Sequence, residues 1–270
     1  IESVICQTYN KWELIIVDDA STDNTKAIVA EYIRKYSSIK YIFIEENSGA
    51  AFARTKAISM AQGEYIAFLD SDDIWYPDKL EKQFLFMRQN QYAFTATSYK
   101  HINEHGDDLH KVIKAIPKTD YNRLLLDCPV GNSSVMYNQK SMGKFTVPNI
   151  RKRNDDALWL KMLKKEKYIY GFDDVLMKYR IRKNSISSNK LKVIKYHWVL
   201  YRNIEHLSFL RSIFHIFYWC SKRLQCHQWR KKHGSLIHQN THHQIRRTQV
   251  PDQRMPDLQR LLNAYSFLHE

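Results

Sequence analysis

The sequence predicts an α/β fold with a mainly parallel central sheet that is flanked by helices. Strand and helix patterns alternate at short intervals over roughly the first hundred residues, as in successive βαβ units. The strand patterns are short apolar runs rich in β-branched residues, which are typical of strands covered on both faces. With 270 residues, the chain is long enough for one sizeable domain with an appendage.

Each predicted element is marked by a local pattern. Residues 13–17 form an apolar run that ends at two aspartates, which predicts a buried strand. Ser21, Thr22 and Asp23 then offer N-caps for a helix whose apolar residues share one face. The later elements are a strand at 39–44, a helix at 50–62, a strand at 65–69, a helix at 77–89, a strand at 92–99, a strand at 134–137, a helix at 156–164 and a short strand near 168–171.

The composition is that of an ordinary globular protein, with 44% hydrophobic and 26% charged residues. It excludes collagen-like and disulfide-scaffold classes and argues against disorder over the whole chain. The four cysteines form no CxxC pair, which predicts reduced thiols in a cytoplasmic protein. No stretch has the roughly 18 consecutive apolar residues that a membrane-spanning helix needs.

The net charge of +14 would suit nucleic acid, an anionic membrane surface or an anionic substrate. The excess is densest in residues 222–270, which hold nine Lys and Arg against three acids. The first 80 residues instead carry clustered carboxylates, which a nucleic acid would repel. The charge distribution therefore argues against nucleic acid as the partner.

Acidic clusters follow two of the predicted strands. Asp18 and Asp19 end the first strand, and Asp70 and Asp72 form a D-x-D pair at the end of another. Ligands of α/β sheets bind at the carboxyl ends of the strands, and paired carboxylates suit Mg²⁺ or Mn²⁺ bridging a diphosphate. The alternatives are a solvated acidic turn that caps the next helix and carboxylates that complement a helix dipole.

Six segments of the chain, in this order, resemble glycosyltransferase family 2. Together they extend over residues 3–190, and although each segment is short, the order of all six is specific. The segments are 7–23, 47–54, 61–80, 131–136, 154–160 and 179–187.

The resemblance implies a GT-A fold and transfer of a sugar from a nucleotide-diphosphate sugar. By the family pattern, Asp19 contacts the nucleobase, with Asp18 beside it, and Asp70 lies on the ribose side. Asp72 binds the metal, Mn²⁺ or Mg²⁺, that holds the diphosphate. Arg54 is expected near the nucleotide, with a surface cation on the helix at 50–62 as the alternative.

The family pattern also implies a catalytic base at the start of a helix. We expect Asp155 to be that base, with Asp156 as the alternative. The base takes the proton of the acceptor hydroxyl as this oxygen attacks the anomeric carbon, and the family implies inversion. The other interpretation is that both aspartates only cap the helix that follows.

The chain departs from the family pattern in three places. Family members begin with a central strand and a Tyr-Asn-type loop some 20 residues before the match begins here, so we expect this strand to be missing and the sequence to be truncated. Arg182 stands where the family often has His, and Lys56 stands where a small residue is usual.

The predicted organisation has three parts. Residues 1–190 are the catalytic domain, 191–224 are an amphipathic aromatic and basic helical appendage, and 225–270 are a basic, flexible tail with a short helix at 258–268. Residues 195–224 have two interpretations: an element that binds at an anionic membrane interface, or a core helix packed against the catalytic domain. The histidines of the tail lack regular spacing, so we expect no metal site there.

The resulting hypothesis is a metal-dependent glycosyltransferase of bacterial surface polysaccharide synthesis, of O-antigen or capsule. Its partners would be a nucleotide-diphosphate sugar and a lipid-linked or oligosaccharide acceptor. It would be cytoplasmic and peripheral at the inner face of the plasma membrane. The alternative is a truncated non-catalytic remnant or a membrane-associated scaffold.

Overall fold

The computed structural model describes residues 1–182, 190–222 and 263–268, and its centre is a ten-stranded sheet. The strands are β1 (Trp12–Asp19), β2 (Ile39–Ile44), β3 (Tyr65–Asp70), β4 (Ile74–Trp75), β5 (Phe94–Ile102), β6 (Asp108–Ile113), β7 (Lys118–Thr119), β8 (Val135–Asn138), β9 (Ile169–Arg180) and β10 (Asn263–Leu268).

Helices cover both faces of this sheet. In chain order the α-helices are α1 (Glu2–Ile5), α2 (Thr25–Lys35), α3 (Ala50–Met60), α4 (Lys79–Asn90), α5 (Tyr121–Leu126), α6 (Gln139–Met142), α7 (Asn154–Leu163), α8 (Lys190–Val199) and α9 (residues 209–222), with a 3₁₀ turn at Asn132–Ser134 and a π-helical turn at Leu200–Ile204.

The alternation of strands and helices predicted from the sequence is confirmed, but the sheet is mixed rather than mainly parallel. Its order is β2-β1-β10-β3-β8-β5-β9-β4, with β6 on β5 and β7 on β9. The pairs β1–β2 and β5–β9 are parallel, and the other pairs are antiparallel. The reason is that β10 and β8 are inserted against the direction of β1, β3 and β5, which all run the same way.

The centre of the sheet holds a strand from the end of the sequence. The helix expected at 258–268 is wrong over Asn263–Leu268, which form β10 between β1 and β3. Asn263 is in register with both Val17 and Asp70, so β10 enters the sheet at the edge where β1 and β3 end. The rest of the predicted tail, 225–262 and 269–270, lies outside the described residues.

The core has two parts, one on each face of the sheet. Leu14 and Ile16 of β1 pack with α2 and α4 on one face, while Ile15 and Val17 pack on the other face with α3 and α7. Alternate residues of a strand point to opposite faces, so a fully apolar strand such as β1 serves both cores. This double cover holds the ends of β1 and β3 in place.

The appendage packs back on residues 1–182. Tyr201 and Trp219 are buried, and the Tyr201 hydroxyl donates to the Leu125 carbonyl over 3.1 Å. The Lys164 ammonium lies 2.8 Å from the buried carboxylate of Glu205. One side of the appendage therefore packs into the core, which is the second of the two interpretations given for residues 195–224.

The other side of α9 is exposed and apolar. Its members recur at helical spacing, and two of them are the most exposed large hydrophobic residues described, Leu210 at 78% and Phe217 at 72%. The full set is Phe209, Leu210, Ile213, Phe214 and Phe217, here called the α9 face. Within the described ranges, no helix combines the length and the apolar character needed to cross a bilayer.

Candidate active site

The carboxyl ends of β1 and β3 lie at one edge of the sheet, as the sequence predicts for its two acidic clusters. Asp18 is buried and accepts hydrogen bonds from the Tyr41 hydroxyl over 2.6 Å and from the Ser21 amide over 2.8 Å. Burial and the neighbouring Asp18 raise the pKa of Tyr41, so the phenol keeps its proton. Asp18 therefore fixes the turn that follows β1.

Asp19 stabilises the loop before α3 through two hydrogen bonds. Its two carboxylate oxygens accept from the backbone amides of Ser48 and Gly49, each over 2.7 Å. Gly49 has a φ of +88°, in the region that favours glycine, which lets its amide point at the carboxylate. The contact of Asp19 with a nucleobase stays a prediction, because in the structure both oxygens are bound by this loop.

Arg54 is buried, so the surface-cation alternative is wrong. Its guanidinium donates to Asp70 Oδ1 over 2.9 Å and also to the side-chain oxygen of Asn154. Asp70 Oδ1 accepts a second hydrogen bond, from Asn132 Nδ2, over 2.7 Å. Arg54 thereby joins the end of β3 to the first residue of α7.

Asp72 and Asp73 differ in their surroundings. Asp72 forms an ion pair with Arg182, whose Nε lies 3.1 Å from Asp72 Oδ2, and the two side chains are 28% and 30% exposed. Asp73 is buried and accepts from the Ser133 hydroxyl over 2.6 Å and from the Arg180 amide over 2.9 Å. Asp72 is thus the more accessible of the two carboxylates, and Asp73 is a buried residue that supports the loop around it.

Burial and mutual repulsion raise the pKa of both carboxyls. For Asp72 the first cause is burial, which the charge of Arg182 opposes and that of Asp70 reinforces. For Asp73 burial again comes first, followed by the charges of Asp70 and Asp72. Additional positive charge at this cluster would stabilise the ionised forms.

The two base candidates lie in the first turn of α7 but have different surroundings. Asp156 is buried, and its Oδ2 lies 2.5 Å from the Arg153 Nε. Asp155 is half-buried, and its charge, with those of Asp70 and Asp73, raises the pKa of Tyr179, for which burial is the main cause. The N-cap is Arg153, which makes no side-chain capping bond, so neither aspartate is a simple cap.

Sequence reasoning assigned no role to two groups that build the site. Asn132 and Ser133, in the 3₁₀ turn before β8, contact Asp70 and Asp73, and Ser133 Oγ also accepts from the Asp70 amide over 2.9 Å. Arg180 donates to the carbonyls of Asp72, Asn103 and Glu104. A run of small polar residues before an apolar strand was the available signal for the first group.

The donor set at this edge fits a divalent cation that is shared with a diphosphate. Among the described residues, no group of three His, Cys, Asp or Glu side chains is arranged to hold a metal ion alone. Mg²⁺, however, is commonly held by one or two carboxylates together with substrate phosphates and water. Asp72, which is partly exposed at this edge, fits as the one carboxylate of such a site.

Comparison with known sequences places the chain in a family. The model of Glycosyl transferase family 2 matches residues 1–147. Over 220 residues the chain is 44% identical to the putative teichuronic acid biosynthesis glycosyltransferase TuaG of Bacillus subtilis (strain 168), with 82% of this chain and 85% of TuaG covered. Over 201 residues it is 40% identical to the UDP-Glc:alpha-D-GlcNAc-diphosphoundecaprenol beta-1,3-glucosyltransferase WfgD of Escherichia coli, with 73% of this chain and 77% of WfgD covered.

Comparison with solved structures shows the fold. The crystal structure of S. aureus TarS 1–349 in complex with UDP-GlcNAc matches 80% of this chain at a TM-score of 0.61 and 20% identity, and the match spans 65% of that chain. The fold and the acidic sheet edge define a glycosyltransferase of the GT-A fold. The chain belongs to glycosyltransferase family 2.

Proposed function

We propose that this glycosyltransferase transfers a sugar from a nucleotide-diphosphate sugar to a hydroxyl of a lipid-linked acceptor in bacterial surface polysaccharide synthesis, such as that of O-antigen or capsule. The observation that carries the proposal is the link through Arg54, which holds Asp70 and the start of α7 together. Asp155 follows Asn154 in the first turn of α7, so this link ties the position of Asp155 to that of Asp70. The names of TuaG and WfgD support the polysaccharide and lipid-diphosphate context.

In the proposed reaction Asp155 is the general base. It accepts the proton of the acceptor hydroxyl while the oxygen forms a bond to the anomeric carbon and the bond to the diphosphate breaks. The nucleoside diphosphate leaves with the electron pair, and attack opposite to it inverts the anomeric centre. Asp155 suits this role better than Asp156, whose carboxylate is buried against Arg153.

The remaining residues position the donor. Asp70, held by Arg54 and Asn132, presents its partly exposed side chain toward the ribose, and Asp18 and Asp19 shape the wall beside β1. Asp72 would hold Mn²⁺ or Mg²⁺, which when bound offsets the charge of the departing diphosphate.

We also propose that the enzyme works on an anionic membrane surface, peripheral to the inner face of the plasma membrane. The α9 face presents five large apolar side chains, and the exposed Arg211 lies on the same helix. Apolar residues of this kind insert at the boundary of headgroups and acyl chains, while cations attract anionic lipid. The net charge of +14 acts in the same direction.

Binding and transfer measurements on two variants test the catalytic proposal. We expect Asp72→Asn to weaken UDP binding in the presence of Mn²⁺ in calorimetry by about tenfold or more, because one ligand of the cation is lost. Asp155→Asn should bind UDP normally and lose transfer by about 10²–10⁴-fold, since the base is missing. The matched control is Asp174→Asn, which removes an exposed carboxylate that contacts Lys82.

The outcomes distinguish an active glycosyltransferase from a non-catalytic remnant or scaffold. Absence of UDP binding and of turnover in the wild-type chain, with a panel of UDP- and GDP-sugars and lipid-linked acceptors, would support a non-catalytic remnant or scaffold. Full transfer activity in Asp155→Asn would move the base elsewhere.

A further inference from the structure

Among the residues that the structure describes, Asp72 and Arg182 form the one ion pair of the acidic cluster in which both partners remain about one third exposed. Arg182 Nε lies 3.1 Å from Asp72 Oδ2, and the side chains are 30% and 28% exposed. Such a pair, at the surface of a site, contributes little to stability and can open without disturbing the fold. The strength of the Asp72–Arg182 pair instead affects how well any other group can bind the Asp72 carboxylate.

The other carboxylates of the cluster are held differently. Asp70 is bound by the buried guanidinium of Arg54, and Asp73 is bound by the hydroxyl of Ser133 and the amide of Arg180. These contacts are part of the packed frame between β3, β9 and the turn before β8. A ligand could not displace these partners of Asp70 and Asp73 without disrupting the packed frame.

Arg180, two residues before Arg182, is also fixed. Its guanidinium donates to three backbone carbonyls, those of Asp72, Asn103 and Glu104, over 2.8 to 3.1 Å. Arg180 therefore braces the loop that carries Asp72, whereas Arg182 contacts the Asp72 carboxylate itself. Of these two cations, only Arg182 contacts a carboxylate oxygen of Asp72.

We propose that Arg182 is an exchangeable counter-ion of Asp72. Without a donor, the guanidinium pairs with Asp72 and opposes the binding of a divalent cation. A nucleotide diphosphate offers the guanidinium phosphate oxygens, which it binds well through two parallel N–H groups, and releases Asp72 to the cation. The cation and the nucleotide then bind cooperatively, each favouring the other by the same factor.

This inference rests on the proposed donor and metal, and direct metal binding tests it apart from activity. The free Mn²⁺ signal in electron paramagnetic resonance gives the Mn²⁺ affinity of the full chain without nucleotide and with UDP. We expect Arg182→Gln to bind Mn²⁺ about tenfold more tightly than the wild type in the absence of UDP, within the usual range of coupling between ligands. UDP should then improve the Mn²⁺ affinity of this variant less than it improves that of the wild type.

Three further variants make the result specific. Arg182→Lys keeps the charge and should stay near the wild-type Mn²⁺ affinity. Lys111→Gln removes the same charge from an exposed position on β6 and should change nothing. Adding Asp72→Asn to Arg182→Gln should abolish the gain, because the carboxylate that was freed is gone.

Three results would overturn the proposal, and they are distinguishable. If Arg182→Gln and the wild type bind Mn²⁺ equally without UDP while UDP still binds with Mn²⁺, the counter-ion role fails and the proposed function stands. If neither protein binds UDP or Mn²⁺, both fail. A gain that also appears in Lys111→Gln would assign the effect to net charge and would likewise overturn the role of Arg182.

Discussion

The guanidinium of Arg54 lies 2.9 Å from the carboxylate of Asp70 and contacts the side chain of Asn154 with its other nitrogen. Arg54 belongs to α3, Asp70 ends β3 and Asn154 begins α7, so one buried side chain connects three elements. The planar guanidinium can serve two acceptors at a fixed angle, which an ammonium cannot. Arg54 therefore connects Asp70 to the first turn of α7, in which Asp155 lies.

Replacing Arg54 should therefore affect both stability and transfer. We expect Arg54→Met to lower the free energy of unfolding in urea by about 2 kcal/mol, because Asp70 loses its cation and remains only one quarter exposed. Displacement of α7 should lower kcat by about 10²-fold. Arg54→Lys should recover part of the stability but little of the activity, and an unchanged kcat in Arg54→Met would refute the connection.

The stability of the protein should depend on Asp156 between about pH 4 and pH 6. Burial raises the pKa of Asp156 from 3.8 to about 6, with Arg153 opposing the shift and Asp155 adding to it. The native state holds this proton more tightly than the unfolded state, so the free energy of unfolding falls as the pH rises through this window. Below about pH 4 the contribution is fully present.

Unfolding curves of Asp156→Asn test this dependence. Relative to the wild type, the variant should gain about 2 kcal/mol as the pH is raised from 4 to 6, whatever its stability at a single pH. Asp174→Asn, at an exposed carboxylate, serves as the control and should show no such trend. A constant difference between Asp156→Asn and the wild type across the window would contradict the prediction.

Lys79 is a buried lysine that the proposed reaction does not use. Its ammonium donates to Gln83 over 2.8 Å and lies 4.1 Å from the centre of the Trp75 ring. Burial lowers the pKa of Lys79 well below 10.5, so unfolding takes up a proton and the free energy of unfolding rises with pH toward 10.5.

We expect Lys79→Met to be more stable than the wild type, since an apolar side chain of similar length loses nothing on burial. The melting temperature should rise by about 3 °C, and the gain over the wild type should shrink as the pH approaches 10. The control Lys82→Met changes an exposed lysine on the same helix and should have little effect. A lower melting temperature for Lys79→Met at pH 7 would show that the contacts of Lys79 with Gln83 and Trp75 outweigh the cost of burying its charge.

The α9 face should decide membrane binding. We expect the wild type to sediment with vesicles that contain phosphatidylglycerol, less so at high salt, because anionic lipid attracts the basic surface. Replacing Phe214 and Phe217 together by Ser should weaken this binding at least about tenfold, since two rings no longer enter the interface. Phe52→Ser, at an exposed ring on α3, is the matched control. Equal losses in both proteins would contradict the role of the α9 face.

Local patterns were sufficient to predict the strands that carry the acids. β1 and β3 were recognisable because a short apolar run followed by Asp18 or Asp70 depends only on neighbouring residues. The burial of Arg54 was not predictable, because its partner Asn154 lies a hundred residues away in the sequence. The strand character of 263–268 was missed for a similar reason: its pairing partners, not its own periodicity, determine it.

The position of β10 determines the order in which the central strands of the sheet can pair during synthesis. The ribosome delivers β1 and β3 early, and their facing edges stay without their common neighbour until residues 263–268 have emerged. Unpaired strand edges are templates for association with other chains, and closing so long a loop is slow. We therefore expect a nascent chain of this enzyme to expose the facing edges of β1 and β3 while residues 71–262 are synthesised, and chaperones that protect these edges should raise the yield of folded protein.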